Sequence, residues 1–104
     1  MKVLHMTLKR EWFNKILSGR KTEEYREIKP YWSKRLAKKY DMIQFRNGYG
    51  ANVPAFDIEL LNIKVGTGKG FWGAPDEEVY ILSLGKLLNT YNIGQTEMPK
   101  GTSS

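Results

Sequence analysis

The segment that decides the fold runs from Ala55 to Val65 and reads AFDIELLNIKV. Its apolar residues first occupy even positions and then odd ones: Phe56, Ile58 and Leu60, followed by Leu61, Ile63 and Val65. Alternation with a period of two is typical of a strand with one buried face. A slip of one residue in that period predicts a β-bulge, which bends a strand and allows a sheet to curve into a barrel.

The segments on either side of this strand predict two helices and several further strands. Residues 9–18 form one amphipathic stripe that ends before Gly19, and Pro30 suits the first turn of a second helix over 30–40. Strands are predicted at residues 3–8, 21–28, 42–46 and 79–84. Glycine-rich loops are predicted at 47–50 and 66–75, and residues 86–92 suit either a short helix or a strand.

This order of elements indicates an α+β fold. We predict a small, mostly antiparallel β-barrel with two flanking helices, and we expect Val79–Leu84 to be a central strand because it is apolar on both faces. One domain is expected over residues 1–93. Residues 94–104 are polar and rich in helix and strand breakers, which predicts a disordered tail.

The charge of the chain is unevenly distributed. Residues 1–46 hold 13 Lys/Arg and 5 Asp/Glu, a net +8, whereas residues 47–104 hold 4 and 6, a net −2. A basic half of this kind favours polyanionic partners such as nucleic acid, although solvated lysines are the simpler alternative.

Several classes of chemistry are excluded by composition. The chain has no Cys and one His, so it contains no disulfide, no catalytic thiolate and no His-rich metal cluster. We expect neither a metal nor an organic cofactor. No signal-peptide pattern and no membrane-length apolar run is present, so we expect a cytoplasmic monomer with no membrane partner.

The segment Gly19-Arg20-Lys21-Thr22-Glu23-Glu24-Tyr25-Arg26 carries the functional case. Gly19 allows the backbone to reverse out of the first helix, and Glu24 and Arg26 share one face of the strand that follows. Lys21 at the strand entrance could reach the same site. Solvated charges with a weak surface salt bridge are the alternative interpretation.

This Gly-x-Lys-x-x-Glu-x-Arg pattern resembles the signature of the ASCH domain family of the PUA-like superfamily. The resemblance covers residues 3–86, and the chain is similar to a short single-domain subgroup of the family found in bacteria and their phages. It extends over Leu4–Leu17, Lys29–Leu36, Phe45–Gly50 and Trp72–Pro75. The resemblance implies a PUA-like barrel with an RNA-binding cleft beside the motif.

An RNA-binding interpretation assigns cations and aromatic rings to that cleft. Phosphates would be held by a set of basic residues: Lys9, Arg10, Lys21, Arg26 and Arg46. Tyr49 and Trp72, on the glycine-rich loops, would stack bases of single-stranded or structured RNA, or of a modified nucleoside. Core packing is the alternative for both rings. Trp12, Phe13, Trp32 and His5 are interpreted as core residues because they lie on apolar helix or strand patterns.

A catalytic interpretation uses the same motif. A metal-independent ribonuclease needs a base for the 2′-hydroxyl, an acid for the leaving oxygen and cations for the phosphorane, and Glu24, Lys21 and Arg26 could fill these roles. The resemblance also implies an N4-acetylcytidine amidohydrolase, in which a threonine nucleophile occupies the position of Glu24. Here Thr22 lies two residues earlier, which disfavours that reaction. Asp76, Glu77 or Glu78 could add a second carboxylate, and a non-catalytic, protein-binding regulator is the third alternative.

Overall fold

The computed structural model describes residues 1–94 and shows an α+β fold in which a curved sheet surrounds one main core. The elements are β1 (Val3–Thr7), α1 (Arg10–Leu17), β2 (Glu23–Glu27), α2 (Pro30–Leu36), β3 (Met42–Arg46), β4 (Ala55–Thr67), a 3₁₀ turn (Gly70–Trp72) and β5 (Glu78–Tyr91). The predicted strands and helices are therefore confirmed. The tail predicted at 94–104 lies outside the described residues apart from Gly94.

Two boundaries differ from the sequence prediction. The second helix ends at Leu36 rather than at residue 40, and Tyr40 instead packs against the main core from the following segment. Residues 86–92, which suited either a helix or a strand, continue β5 as far as Tyr91. This segment forms a strand because its main-chain groups pair with those of the first half of β4.

The five strands form a mixed sheet in the order β1-β3-β4-β5-β2, which curls into a half-barrel. The β3–β4, β4–β5 and β5–β2 pairs are antiparallel, whereas β1 and β3 are parallel. A parallel pair arises because the chain passes through α1, β2 and α2 between these two strands. The prediction of a mostly antiparallel sheet is confirmed for three of the four pairings, and β1 and β2 are the two edges.

The bulge predicted in β4 is present. The register between β4 and β5 shifts at three points between Asp57 and Asn62. Before the shift, Phe56 and Ile58 are buried in the core. From Leu61 onward β4 is largely exposed, with Leu61 58% and Val65 53% exposed, whereas Ile63 packs against the main core. The bulge therefore lies where β4 changes from a largely buried strand to a largely exposed one.

Helix α1 covers the concave face of the sheet. Its residues Phe13, Ile16 and Leu17 are buried against Phe45 and Phe56, as the apolar stripe predicted. A second, smaller cluster lies on the convex face of the sheet. There Tyr25, Val79 and Ile81 are covered by two residues of the loop that precedes β5, Trp72 and Ala74. Strand β5 lies between β4 and β2, as expected for a central strand.

Three residues interpreted as core are not buried. His5 is exposed, because strand alternation turns its neighbours Leu4 and Met6 into the core. Trp12 and Trp32 are half-buried beside an open cleft, although Trp32 also packs against the main core, as predicted. Among residues 1–94, neither helix is long and apolar enough to cross a membrane.

Candidate functional site

Lys21, Glu24 and Arg26 converge into one ion-paired triad. The Lys21 Nζ atom lies 2.9 Å from Glu24 Oε1, and Arg26 Nη1 lies 2.5 Å from Glu24 Oε2. Lys21 is only 2% exposed and Glu24 only 3% exposed. The convergence predicted from the motif is therefore confirmed, and the alternative of solvated charges is wrong for Lys21 and Glu24.

Local structure explains how the triad forms. Gly19 adopts a φ of +85°, so the chain reverses at the end of α1, and the amides of Arg20 and Lys21 both donate to the Lys15 carbonyl. Strand β2 then pairs Glu24 with Leu82, a residue buried in the main core. Paired residues share a face of the sheet, so Glu24 points to the concave side of the half-barrel. A charge buried there is tolerable because both carboxylate oxygens are paired.

Aromatic rings cover the Lys21 ammonium. Its Nζ lies 4.3 Å from the ring centroid of Trp12 and 5.3 Å from that of Tyr25. Trp12 in turn packs against Gly73, where a Cβ atom would come within 2.8 Å of the indole. The cation is therefore enclosed by Glu24 and two rings, which favours a role in positioning Glu24 over direct contact with a phosphate.

An open cleft of about 760 Å³ lies beside the triad, at the seam where β1 and β2 face each other. Residues 5–9 line one side of this cleft, and Glu24, Arg26 and Glu27 line the other. Lys21 is not among its lining residues. Glu24 is thus the member of the buried pair that the cleft can reach.

Helix α2 forms a wall of the same cleft with Tyr31, Trp32 and Arg35. The Arg35 guanidinium donates to the Tyr31 hydroxyl at 2.9 Å and to the His5 carbonyl at 2.8 Å. Both Arg26 and Arg35 lie over the Trp32 ring, at 5.2 and 5.3 Å from its centroid. Arginine, tyrosine and tryptophan thus form one interlocked surface facing β1.

The residues predicted to bind RNA divide into two groups. Lys9, Arg26 and Tyr49 line the cleft, and Tyr49 is 90% exposed. Besides Lys21, three further members of the predicted set are not among the lining residues: Arg10, Arg46 and Trp72. Their involvement in RNA binding remains a prediction that the position of the cleft does not support.

Each of these three residues has another place in the fold. Arg46 donates to the Gly50 carbonyl and so braces the loop that carries Tyr49. Trp72 is half-buried in the convex-face cluster, so the core-packing alternative holds for most of this ring. Arg10 begins α1, with its side chain exposed.

The acidic residues proposed as partners of Glu24 lie on or next to the loop before β5. Asp76, Glu77 and Glu78 are all exposed. Glu77 lines a neighbouring depression of about 690 Å³, which shares Arg26, Glu27 and Trp32 with the cleft. Thr22 is exposed and does not line the cleft. Glu27, which was not singled out from the sequence, is the carboxylate that lines both depressions.

Five residues that line the cleft were not predicted from the sequence: His5, Trp12, Tyr31, Trp32 and Arg35. Tyr31 and Arg35 lie four residues apart, which places them together on one helix face, and this spacing was the available signal. His5 and the two tryptophans gave no such signal, because their local patterns are those of core residues. Within residues 1–94, no three His, Asp or Glu side chains come together in a way that could hold a metal ion.

Tyr25 anchors the loop that borders the site. Its hydroxyl donates to Glu23 Oε1 at 2.9 Å and accepts the Lys69 amide at 3.3 Å. Burial raises the pKa of Tyr25 to about 12, and the nearby Glu23 carboxylate acts in the same direction. The phenol is therefore neutral at physiological pH and serves as a structural tie between β2 and this loop.

A second buried carboxylate lies on the convex face, away from the cleft residues. Asp57 is 2% exposed and accepts hydrogen bonds from Gln44, Asn89 and Tyr91 at 3.0, 3.0 and 2.6 Å. The bond from the Tyr91 hydroxyl raises the pKa of Tyr91. With both of its oxygens occupied, Asp57 links β3, β4 and β5, a structural role.

No family model, no curated protein and no solved structure matches this chain. The case for a function therefore rests on the cleft itself. Exposed aromatic rings and cations surround a carboxylate whose two oxygens are held by Lys21 and Arg26. Such a surface can stack a planar ring, contact an anionic group and accept a hydrogen bond from an N–H.

Proposed function

We propose that this protein binds RNA by taking one unstacked nucleotide of a single-stranded segment into the cleft beside Glu24. The observation that carries the proposal is the convergence of Lys9, Arg26 and Tyr49 on one cleft. Cations that follow the backbone, combined with aromatic rings for the bases, are the usual means of binding single strands. A free modified nucleoside could bind to the same cleft through the same stacking and hydrogen-bonding groups.

The cleft residues suit the parts of a nucleotide. Lys9, Arg26 and Arg35 can contact phosphate oxygens, and Arg26 and Arg35 are braced by the Trp32 ring. Tyr49 and Tyr31 are 90% and 57% exposed, so each offers a ring for stacking. Stacking contributes about 1–3 kcal/mol per base, which is enough to hold a base out of its strand.

We also propose that the chain is an ASCH domain with a PUA-like barrel. The support is that the motif residues Lys21, Glu24 and Arg26 form one triad at the cleft, and that Gly19 makes the turn that brings them there. The curved five-stranded sheet is compatible with such a barrel. A cytoplasmic monomer is part of the same proposal.

The experiment is a fluorescence-anisotropy titration of labelled single-stranded RNA at several salt concentrations. Each phosphate neutralised by the protein releases counterions, so the logarithm of the affinity should fall with the logarithm of salt by about 0.7 per contact. Replacing Lys9 by alanine removes one contact and should lower this slope by about 0.7. Affinity should fall several-fold at the lowest salt concentration.

Lys39→Ala is the matched control, because Lys39 is exposed and lines a different depression, between Leu36 and Ile63. Both variants lose one positive charge, so a difference between them reports the position of that charge. Equal effects of the two variants would mean that RNA binds through general charge rather than in the cleft. No binding by the wild-type protein at low salt would refute the proposal.

A metal-independent ribonuclease is the second candidate, favoured by the presence of both Glu24 and His5 along the cleft. One could act as base toward the 2′-hydroxyl and the other as acid toward the leaving oxygen. Glu24→Gln should then abolish turnover while changing RNA affinity little, as judged by product on a denaturing gel. Intact RNA with wild-type protein would leave binding as the activity.

N4-acetylcytidine hydrolysis ranks below ribonuclease activity, because Glu24 occupies the position of the nucleophilic threonine. A protein that neither binds nor cleaves RNA would fit the third alternative, a regulator that binds another protein.

A further inference from the structure

The direction of the main-chain groups of β1 is set by its parallel pairing with β3. The Leu8 amide donates to the Arg46 carbonyl at 2.8 Å, and the Lys2 carbonyl accepts the Asp41 amide at 2.9 Å. Even-numbered residues of this strand therefore direct their main-chain groups toward β3. Successive residues of a strand alternate in this respect, so His5 and Thr7 direct theirs outward, into the seam.

The outward carbonyls of β1 are already occupied by arginine side chains. Arg35 Nη2 donates to the His5 carbonyl at 2.8 Å, and Arg26 Nη2 donates to the Thr7 carbonyl at 3.4 Å. Because the N–H and C=O groups of one strand residue point to the same side, the amides of His5 and Thr7 are also directed outward, and residues 5–9 line the cleft there. On the outward edge of β1, the carbonyl acceptors are thus covered by arginine side chains, and the main-chain N–H donors are left to bind a ligand.

Thr7 and Glu24 lie side by side because one guanidinium joins them. Arg26 donates through Nη1 to Glu24 Oε2 and through Nη2 to the Thr7 carbonyl. The main chain of Thr7, which carries an N–H donor, and the Glu24 carboxylate, an acceptor, are therefore separated only by the Arg26 guanidinium. Nucleobase edges carry the complementary pair, an N–H donor next to a carbonyl or ring-nitrogen acceptor.

We infer that the outward edge of β1 reads the bound base: the Thr7 amide donates to an acceptor on the base edge while Glu24 accepts from its N–H. This inference rests on the proposed function and adds to it the orientation of the ligand. The base enters the cleft edge-first, and the phosphates remain at the rim near Lys9.

The test compares two substitutions at Thr7, with the labelled single-stranded RNA as probe. Thr7→Pro removes the amide hydrogen, and an edge strand tolerates proline where its N–H does not serve the sheet. Thr7→Val keeps the amide hydrogen and the β-branched shape. Thr7→Pro should bind the RNA about tenfold more weakly than Thr7→Val, since a base acceptor would be left unpaired only in the proline variant.

Amide hydrogen exchange provides a readout that does not depend on the proline variant. In the wild-type protein the Thr7 amide should exchange rapidly when free and at least about tenfold more slowly with RNA bound. If Thr7→Pro fails to fold, as judged by its thermal transition, protection of the Thr7 amide in the wild-type protein tests the inference by itself.

The outcomes separate this inference from the proposed function. Wild-type protein that binds RNA with an unprotected Thr7 amide, or equal binding by a folded Thr7→Pro variant and Thr7→Val, would overturn the inference and leave the RNA-binding proposal standing. Failure of the wild-type protein to bind RNA at low salt would overturn both.

Discussion

At the scale of single residues, the ion pair between Lys21 and Glu24 is the most demanding feature of the site. Two charges at 2% and 3% exposure lose most of their hydration, and only mutual pairing and the second cation, Arg26, make this tolerable. The pair therefore holds a carboxylate in a defined position beside the cleft.

Replacement of Lys21 by methionine tests this dependence. We expect the free energy of unfolding to fall by about 3–5 kcal/mol, because Glu24 would keep its charge with one partner fewer in a buried place. Urea titration followed by circular dichroism measures it.

Lys29→Met is the control, since the Lys29–Glu27 pair has a distance of 3.7 Å and both side chains are more than half exposed. Its effect should stay below about 1 kcal/mol. A Lys21→Met protein as stable as Lys29→Met would contradict the view that burial makes this pair costly to break.

The Tyr25 phenol predicts a dependence of stability on alkaline pH. Its pKa is about 12 in the folded protein and about 10 when exposed, so the fold favours the neutral form. This stabilisation is complete below pH 10 and is lost as the pH rises from 10 through 12. Urea unfolding at several pH values should show a smaller loss across this window in Tyr25→Phe than in wild type. Tyr91 titrates high in both proteins, so its contribution cancels in the comparison.

At the scale of elements, the loop from Gly68 to Pro75 depends on close approach to Tyr25. A Cβ atom on Gly68 would lie 2.6 Å from both the Ala74 Cβ and the Tyr25 ring. Gly68→Ala should therefore cost about 1–3 kcal/mol, as overpacking does, measured by urea unfolding. Gly70→Ala is the matched control within the same loop, because a Cβ there has no neighbour within 4 Å. Equal stability of the two variants would show that the loop yields freely.

Most elements could be predicted from local patterns, and the exceptions have physical causes. The apolar stripe of α1 and the phase slip of β4 are properties of consecutive residues, and both predictions are confirmed. Helix α2 has no fully buried residue, but Trp32 and Leu36 pack against the main core, and the Ser33 and Tyr80 hydroxyls lie 2.6 Å apart. Tyr40 continues the apolar stripe and packs against the same core after the helix has ended, so the stripe could not reveal the last helical residue.

At the scale of the whole molecule, the strands of the half-barrel differ in how many neighbouring strands they pair with. β4 and β5 are the longest strands and each has two neighbours, whereas β1 and β2 are edges. Amide exchange should therefore be slowest at inner positions such as Ile58 and Leu82. The outward amide of His5 should exchange at least about tenfold faster in free protein. Equal protection of His5 and Leu82 would mean that the seam is closed by main-chain pairing.

The sequence by itself determined most of the elements, the bulge and the meeting of Lys21, Glu24 and Arg26, because each follows from spacing along a few consecutive residues. Only the tertiary structure decided that Lys21 lies behind Glu24, that His5 is exposed, and that Trp12 and Trp32 border a cleft. The physical reason is that the cleft lies between β1 and β2, edges at opposite ends of the sheet order. Sheet curvature brings these edges together, and no pattern within either strand encodes that distance.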